Sequence, residues 1–160
     1  MVGSNSNANV EVTAQLVSGQ ALGRAIARAI SLDFPPLHDQ RSAVPTVRDL
    51  VRALRRLDGV DAAIVLGRDG ARIDGATDPA FDPDRLAACV PPVALAAIAM
   101  GGAAGRGDFG LMVLEYSAGA VVVTSVTPDA FLLVLLRPDA NLAALVYDLR
   151  RFRAQIASLV

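Results

Sequence analysis

From Leu86 to Ala104 the chain reads LAACVPPVALAAIAMGGAA, a run without one charged, amide, hydroxyl or imidazole side chain. A helix on the face of a globular monomer carries an apolar stripe and a polar back, whereas one that is apolar all round must be covered on nearly every side by protein or lipid. Lipid is the poorer cover here. The run is long enough for a bilayer core, but it is mostly Ala, is interrupted by Pro91, Pro92, Gly101 and Gly102, and has no basic asymmetry at its ends. Strand-like segments with hairpin turns follow it at once. The N-terminus, MVGSNSNANVEV, lacks the basic region and apolar core of a signal peptide. Protein is therefore the expected cover.

At 160 residues the chain is long enough to bury about two thirds of the surface its unfolded form exposes. Its hydrophobic content of 53% and mean hydropathy of +0.44 are high for a soluble monomer, which again points to apolar surface covered by an oligomer or a partner. The formal charge of −1 and aromatic content of 4% lack the electrostatic and stacking footprint of a nucleic-acid binder. All fifteen basic residues are Arg, so Schiff-base, Walker A and kinase-type lysine chemistries are excluded. Cys89 is the single cysteine, which rules out an intramolecular disulfide and fits a reducing cytoplasm.

Residues 1–45 read as an extension: a polar start expected to be disordered, a short amphipathic helix near Gln20 to Ile30, then a proline-rich linker containing His38. That helix carries Leu22, Ala25, Ile26, Ala29 and Ile30 on one side and Arg24 and Arg28 on another. It is free to dock on its own domain, on a partner, or on a membrane surface. The domain proper is expected over 46–160. Thr46 and Asp49 have the spacing of a capping box, ahead of Val47, Leu50, Val51, Leu54 and Leu57 at helical period. Asp58-Gly59 stops this helix and Asp61 to Gly67 reads as an apolar strand. Asp69-Gly70 signals a two-residue hairpin, returning Ala71 to Ala76 as a polar edge strand. Asp82-Pro83-Asp84 opens a second helix, with a kink or restart expected near Val93 because of the two prolines.

Three strands are then expected at Phe109 to Tyr116, Ala120 to Thr127 and Ala130 to Leu136, joined too tightly for parallel crossovers. The last, with FLLVLL, is apolar on both faces and so central. A closing helix from Leu142 presents Leu145, Val146, Leu149, Phe152, Ile156 and Leu159 on one face, with Arg150, Arg151 and Arg153 largely off it. The order is α-β-β-α-β-β-β-α.

Little in the sequence points to catalysis. Gly105-Arg106-Gly107-Asp108-Phe109-Gly110 matches GxGxxG, but it leaves a helix and enters a strand, the reverse of the dinucleotide fingerprint. His38, the single histidine, stands in the proline-rich linker, so any Ser-His-Asp or Cys-His arrangement would depend on a mobile base. Asp69, Asp74, Asp78, Asp82 and Asp84 are placed for turns and caps, so neither a metal nor a cofactor is expected. Arg48, Arg52, Arg55 and Arg56 read as a solvated face, and Arg68 and Arg106 as loop residues.

The strand Leu111 to Tyr116, nearly apolar on both faces, opens the three-strand meander and so belongs on the rim of the sheet. Bare apolar rims aggregate unless something pairs with them. A two-fold homodimer that joins this strand to its copy, through Leu111, Val113 and Glu115, and packs Ala94, Ala97 and Ile98 across the axis covers strand and helix together.

With LVRALRRLDGVDAAIVLGRDGARI, the Ala-rich second helix, FGLMVLEYSAGAVVVTSV and FLLVLLRPDANLAALVYDLRRF in this order, the chain from Thr46 to Val160 resembles the Roadblock family, named for a dynein light chain type. Pro91-Pro92 is unusual for the second helix, and residues 1–45 lie outside the match. The resemblance implies an α/β fold: a three-layer α-β-α sandwich around a five-stranded antiparallel sheet, made ten-stranded across a homodimer. It also implies a non-catalytic adaptor or regulator that partners a small Ras-like GTPase. A ligand-sensing domain of profilin or PAS-like architecture is the alternative, and it requires a cavity.

Overall fold

The computed structural model describes residues 46–160. The expected polar start, the helix near Gln20 to Ile30, the linker and His38 lie outside the described residues. Helix α1 (Val47–Arg55) opens on the anticipated capping box. The Thr46 hydroxyl accepts from the Asp49 amide at 3.3 Å, and the Asp49 carboxylate accepts from the Thr46 amide at 3.0 Å. The Thr46 hydroxyl also donates to the Asp49 carboxylate at 2.7 Å, and this bond first, the Thr46 amide second, hold the Asp49 carboxyl below its usual pKa. Leu50, Val51 and Leu54 form its buried face.

Strands β1 (Val60–Gly67) and β2 (Arg72–Thr77) form the first hairpin. Its loop has three residues rather than the expected two: Gly67 and Ala71 close Arg68-Asp69-Gly70, with the Gly67 amide donating to Ala71 at 2.8 Å. The second helical segment is split into α2 (Pro83–Ala88) and α3 (Val90–Ala103). The restart comes at Val90, three residues before the expected position. Amides of a first turn have no intrahelical acceptor, so Pro91 and Pro92 cost least when the new helix begins just ahead of them.

Strands β3 (Leu111–Tyr116), β4 (Gly119–Thr127) and β5 (Ala130–Leu136) follow as an antiparallel meander. The sheet order is β2-β1-β5-β4-β3, which puts β5 at the centre as its sequence requires. The closing helix is also split, into α4 (Leu142–Arg151) and α5 (Arg153–Ala157). Asn141 caps α4 by accepting from the Ala144 amide at 2.9 Å. The break at Phe152 turns Ile156 into the same core as Leu145 and Leu149.

Three layers result. Helices α1, α4 and α5 cover one face of the sheet, where Leu50, Leu54, Leu132, Val134, Leu145 and Leu149 meet. Helices α2 and α3 cover the other through Ala87, Val90 and Ala94 against Ile64, Leu66, Phe131 and Leu133. Gly59, at φ 80°, tucks the α1–β1 turn under the β5–α4 connection, where a Cβ would stand 2.5 Å from the Ala140 methyl carbon.

Candidate interaction site at the sheet edge

The two edges of the sheet are built differently. Strand β2 carries a bulge opposite Val65 and Leu66, and ion pairs Arg48–Asp74 (3.2 Å) and Arg72–Asp84 (2.6 Å) tie it to α1 and α2. Bulges and charges are the usual means of blunting an edge. Strand β3 has no bulge and one charged residue, Glu115: its register with β4 runs unbroken from Leu111 to Tyr116, and its outer side pairs with no strand among the described residues.

The Ser125 amide donates to the Gly110 carbonyl at 3.0 Å, which sets the phase of the β3–β4 ladder. Alternation then turns the backbone groups of Leu111, Val113 and Glu115 away from β4. These are the three strand residues expected at a contact between copies. Leu111 and Val113 are half-buried on the α4 side, Met112 and Leu114 on the α3 side, while Glu115 and Tyr116 are exposed.

Helix α3 lies beside this edge without a polar side chain. By length and composition Pro83–Ala103 would suffice to cross a membrane, yet Val90 and Ala94 bind it to the sheet and a break at Cys89 interrupts it. Only 17% of that window is buried within the chain. With Val90 and Ala94 inward, helical geometry puts Val93, Ala97 and Met100 on the flank towards β3, where Val93 meets the cavity shared with Met112 and Leu114. Leu95 occupies the opposite flank, and Pro92, Ala96, Ala99 and Ala103 form the crest. Leu95 is 60% exposed and Met100 70%.

Of the helix residues expected at the contact, Ala94 is fully enclosed by the chain's own core and has no surface to offer. Ala97 is half-buried on the β3 flank, and Ile98 is half-buried on the side away from it. Val93 and Met100 are the exposed β3-side residues that sequence reasoning missed. A helix apolar on every side has no hydrophobic phase from which to sort them.

Two concavities adjoin β3. A cavity of about 180 Å³ between α3 and the sheet is lined by Cys89, Val93, Met112, Leu114 and Tyr116 among others. It is below the ~300–1,000 Å³ of ordinary small-molecule pockets. On the other face an open groove of about 730 Å³ separates Val113 and Glu115 from Leu142, Ala143, Val146, Tyr147 and Arg150 of α4.

Most of the acidic residues singled out earlier, with Arg55 and Arg68, serve the fold. Asp69 accepts from the Ala71 amide, Asp78 from that of Ala80 and Asp82 from those of Asp84 and Arg85. Arg55 bonds the Val60 carbonyl at 2.8 Å and Asp78 at 3.3 Å. Arg68 donates to the Pro128 carbonyl and lies 5.7 Å from the Phe131 ring centroid, so it pins the hairpin loop. The GxGxxG stretch connects α3 to β3, as expected from the reversed order of elements.

Asp148 is unlike these. It is 4% exposed within α4, and its Oδ2 has no hydrogen-bond partner among the described residues. Burial raises its pKa above the ordinary 3.8, outweighing the attraction of Arg151. The folded chain therefore holds this proton to higher pH than the unfolded one, and stability falls as pH climbs from that ordinary value through the raised one. Asp148→Leu is expected to add about 1–2 kcal/mol at neutral pH and less in acid. Denaturant melts at pH 4 and pH 7 measure this, and an equal or negative effect at both would refute it.

Residues 46–136 match the sequence profile of the Roadblock/LC7 domain. The fold aligns with the Roadblock/LC7 domain from Streptomyces avermitilis at TM-score 0.62 and 22% identity, over 71% of this chain and 94% of that one. The gliding protein MglB from Thermus thermophilus aligns at 0.63 and 18%, over 78% and 97%. Myxococcus xanthus MglB aligns at 0.64 and 14%, over 70% and 92%. At these identities the structural likeness speaks for the fold alone. No curated protein sequence matches the chain. Because the profile covers more than half of the chain, from the capping box of α1 through the central strand β5, the chain belongs to the Roadblock/LC7 domain family.

Proposed function

We propose that this regulatory domain acts as a non-catalytic homodimer that binds a small Ras-like GTPase and tunes its nucleotide state or location. The observation that carries the reading is the contrast between the sheet's edges: β2 is bulged and tied down by ion pairs, β3 is unbulged and apolar from Leu111 to Leu114, and the apolar flank of α3 lies beside it. Pairing β3 with its copy extends the sheet to ten strands and covers Val93, Ala97 and Met100 in the same contact. An obligate interface of this kind buries about 1,500 Å² or more. Family membership supports the GTPase.

A contact on the β3 flank leaves the crest and far flank of α3 uncovered, with Leu95 at their centre. This remaining surface is the one offered to the GTPase. Leu95→Glu is expected to leave the dimer's mass unchanged while weakening GTPase binding by about tenfold or more. Light scattering gives the mass, and titration with GDP- and GTP-loaded Ras-like proteins from the same cell gives the affinity. A monomeric chain, or a dimer that binds none of them, would refute the proposal. Stabilisation of the isolated dimer by a nucleotide or small metabolite would favour ligand sensing instead.

A further inference from the structure

Apolar helical surface flanks the β3 edge on both faces of the sheet. Val93 and Met100 of α3 supply it on one side, and Ala143, Val146 and Tyr147 of α4 on the other, across the open groove from Val113. Ala143 and Tyr147 are exposed and Val146 is half-buried. A body that pairs with β3 lies in the plane of the sheet, so it meets both flanks at once.

The groove is lined by one acid and one base, Glu115 and Arg150, both exposed. Neither makes an ion pair among the described residues. The course of α4 keeps them apart. The helix starts at Leu142, just beyond β5, whose last residue Leu136 pairs with Ala120, which in turn pairs with Glu115. Its far end returns to the start of β3, since a Cβ at Gly110 would stand 3.8 Å from Nη1 of Arg153, just past α4. Arg150 therefore lies at the Leu111 end of the groove and Glu115 at the other, about 13 Å away along the strand.

We propose that a second copy of this chain closes the groove, with Arg150 of each copy on Glu115 of the other. The inference rests on the two-fold pairing of β3 proposed above. Centred on Val113, that antiparallel pairing sets Glu115 of one copy opposite Leu111 of the other, and opposed residues share a face of the sheet. The symmetry thus carries Glu115 to the end of the groove where Arg150 of the other copy stands. Helix spacing agrees. Helix α4 packs on β4, so across the seam the two α4 axes are three strand spacings apart, about 14–15 Å. Helices in direct contact are about 8–10 Å apart, and the exposed Tyr147 and Arg150 side chains span the remainder. A contact that needs opposite charges at positions 115 and 150 also selects its partner, because a related domain with like charge at either position is turned away from the shared sheet.

Glu115→Arg and Arg150→Glu, each made in the whole chain, test this. Both residues are exposed, so thermal melts of the variants should match the parent's shape and confirm folding. Each variant alone should self-associate about tenfold or more weakly, because every cross-pair becomes a pair of like charges. Mixed in equal amounts, the two variants should form heterodimers well beyond the half expected at random, because both contacts between them unite opposite charges. An ion pair within one chain cannot produce that result. Native mass spectrometry counts the species. Parental self-affinity in either variant, or random mixing, overturns the proposal and leaves the β3 dimer standing, whereas a monomeric parent chain overturns both.

Discussion

Val113→Glu is expected to abolish the dimer, leaving a monomer or an aggregate in light scattering. The Val113 side chain is half-buried on the face of the sheet that α4 covers, across an open groove from that helix, and its backbone groups turn outward from the sheet. In a two-fold pairing of β3 with its copy the substitution occurs twice, close to the axis. Two carboxylates then meet across neighbouring strands near the existing Glu115 pair, and like charges so placed repel. Each also gives up water, a cost that Arg150 across the groove offsets only in part. Self-affinity should fall by a hundredfold or more, about 2.7 kcal/mol. Ile73→Glu provides the control: it lies at the bulge of the opposite edge, is exposed, and should leave the mass unchanged. A Val113→Glu chain that stays dimeric would remove β3 from the interface.

That edge could be found from sequence because strands report their environment residue by residue. FLLVLL alternates nowhere, which marks a strand covered on both faces, and β5 is central. LMVLEY is almost as apolar but opens the meander, and β3 is an edge. Thr46 and Asp49 announced the start of α1 for an equally local reason, since a capping box involves four consecutive residues. Legibility ended where the signal depends on a difference that the sequence lacks. Helix α3 has no polar side chain to show which way it faces, so Ala94, deep in the core, resembled Val93, on the open flank. The prolines announced a break, and it falls at Cys89, just ahead of them, where their missing amides cost least, rather than near Val93. The stop at Phe152 is equally tertiary, because the apolar period runs through it and the turn serves to bring Ile156 onto the sheet. Asp148 fell within an ordinary amphipathic pattern, and nothing nearby in sequence marks a carboxylate as buried.

Gly119→Ala is expected to be the most damaging small substitution in the fold. Gly119 pairs with Tyr116 to close the β3–β4 hairpin around Ser117-Ala118, at φ 133°, a conformation essentially confined to glycine. A Cβ there would also run into the Leu136 carbonyl oxygen, with the Arg137 Cα 3.3 Å away. Backbone cannot swing aside as a flexible side chain can, and Leu136 belongs to the central strand, paired with both Val60 and Ala120. The methyl group therefore adds strain at a positive φ to a clash with the most constrained strand of the sheet. Together these should cost about 3–5 kcal/mol, a large share of the ~5–15 kcal/mol that holds a domain together. The midpoint of thermal unfolding should fall by roughly 10–20 °C. Gly102→Ala is the matched comparison: it lies in α3 with nothing within 4 Å of a new Cβ, so it should be neutral or gain up to ~1 kcal/mol from helix propensity. Because Gly119 sets where β3 turns back from β4, its loss should loosen the edge first, and amides 111–116 should exchange faster than those of β1 and β5. If Gly119→Ala melts within a few degrees of the parent, or its exchange rises evenly across the sheet, the hairpin does not hold the edge in register.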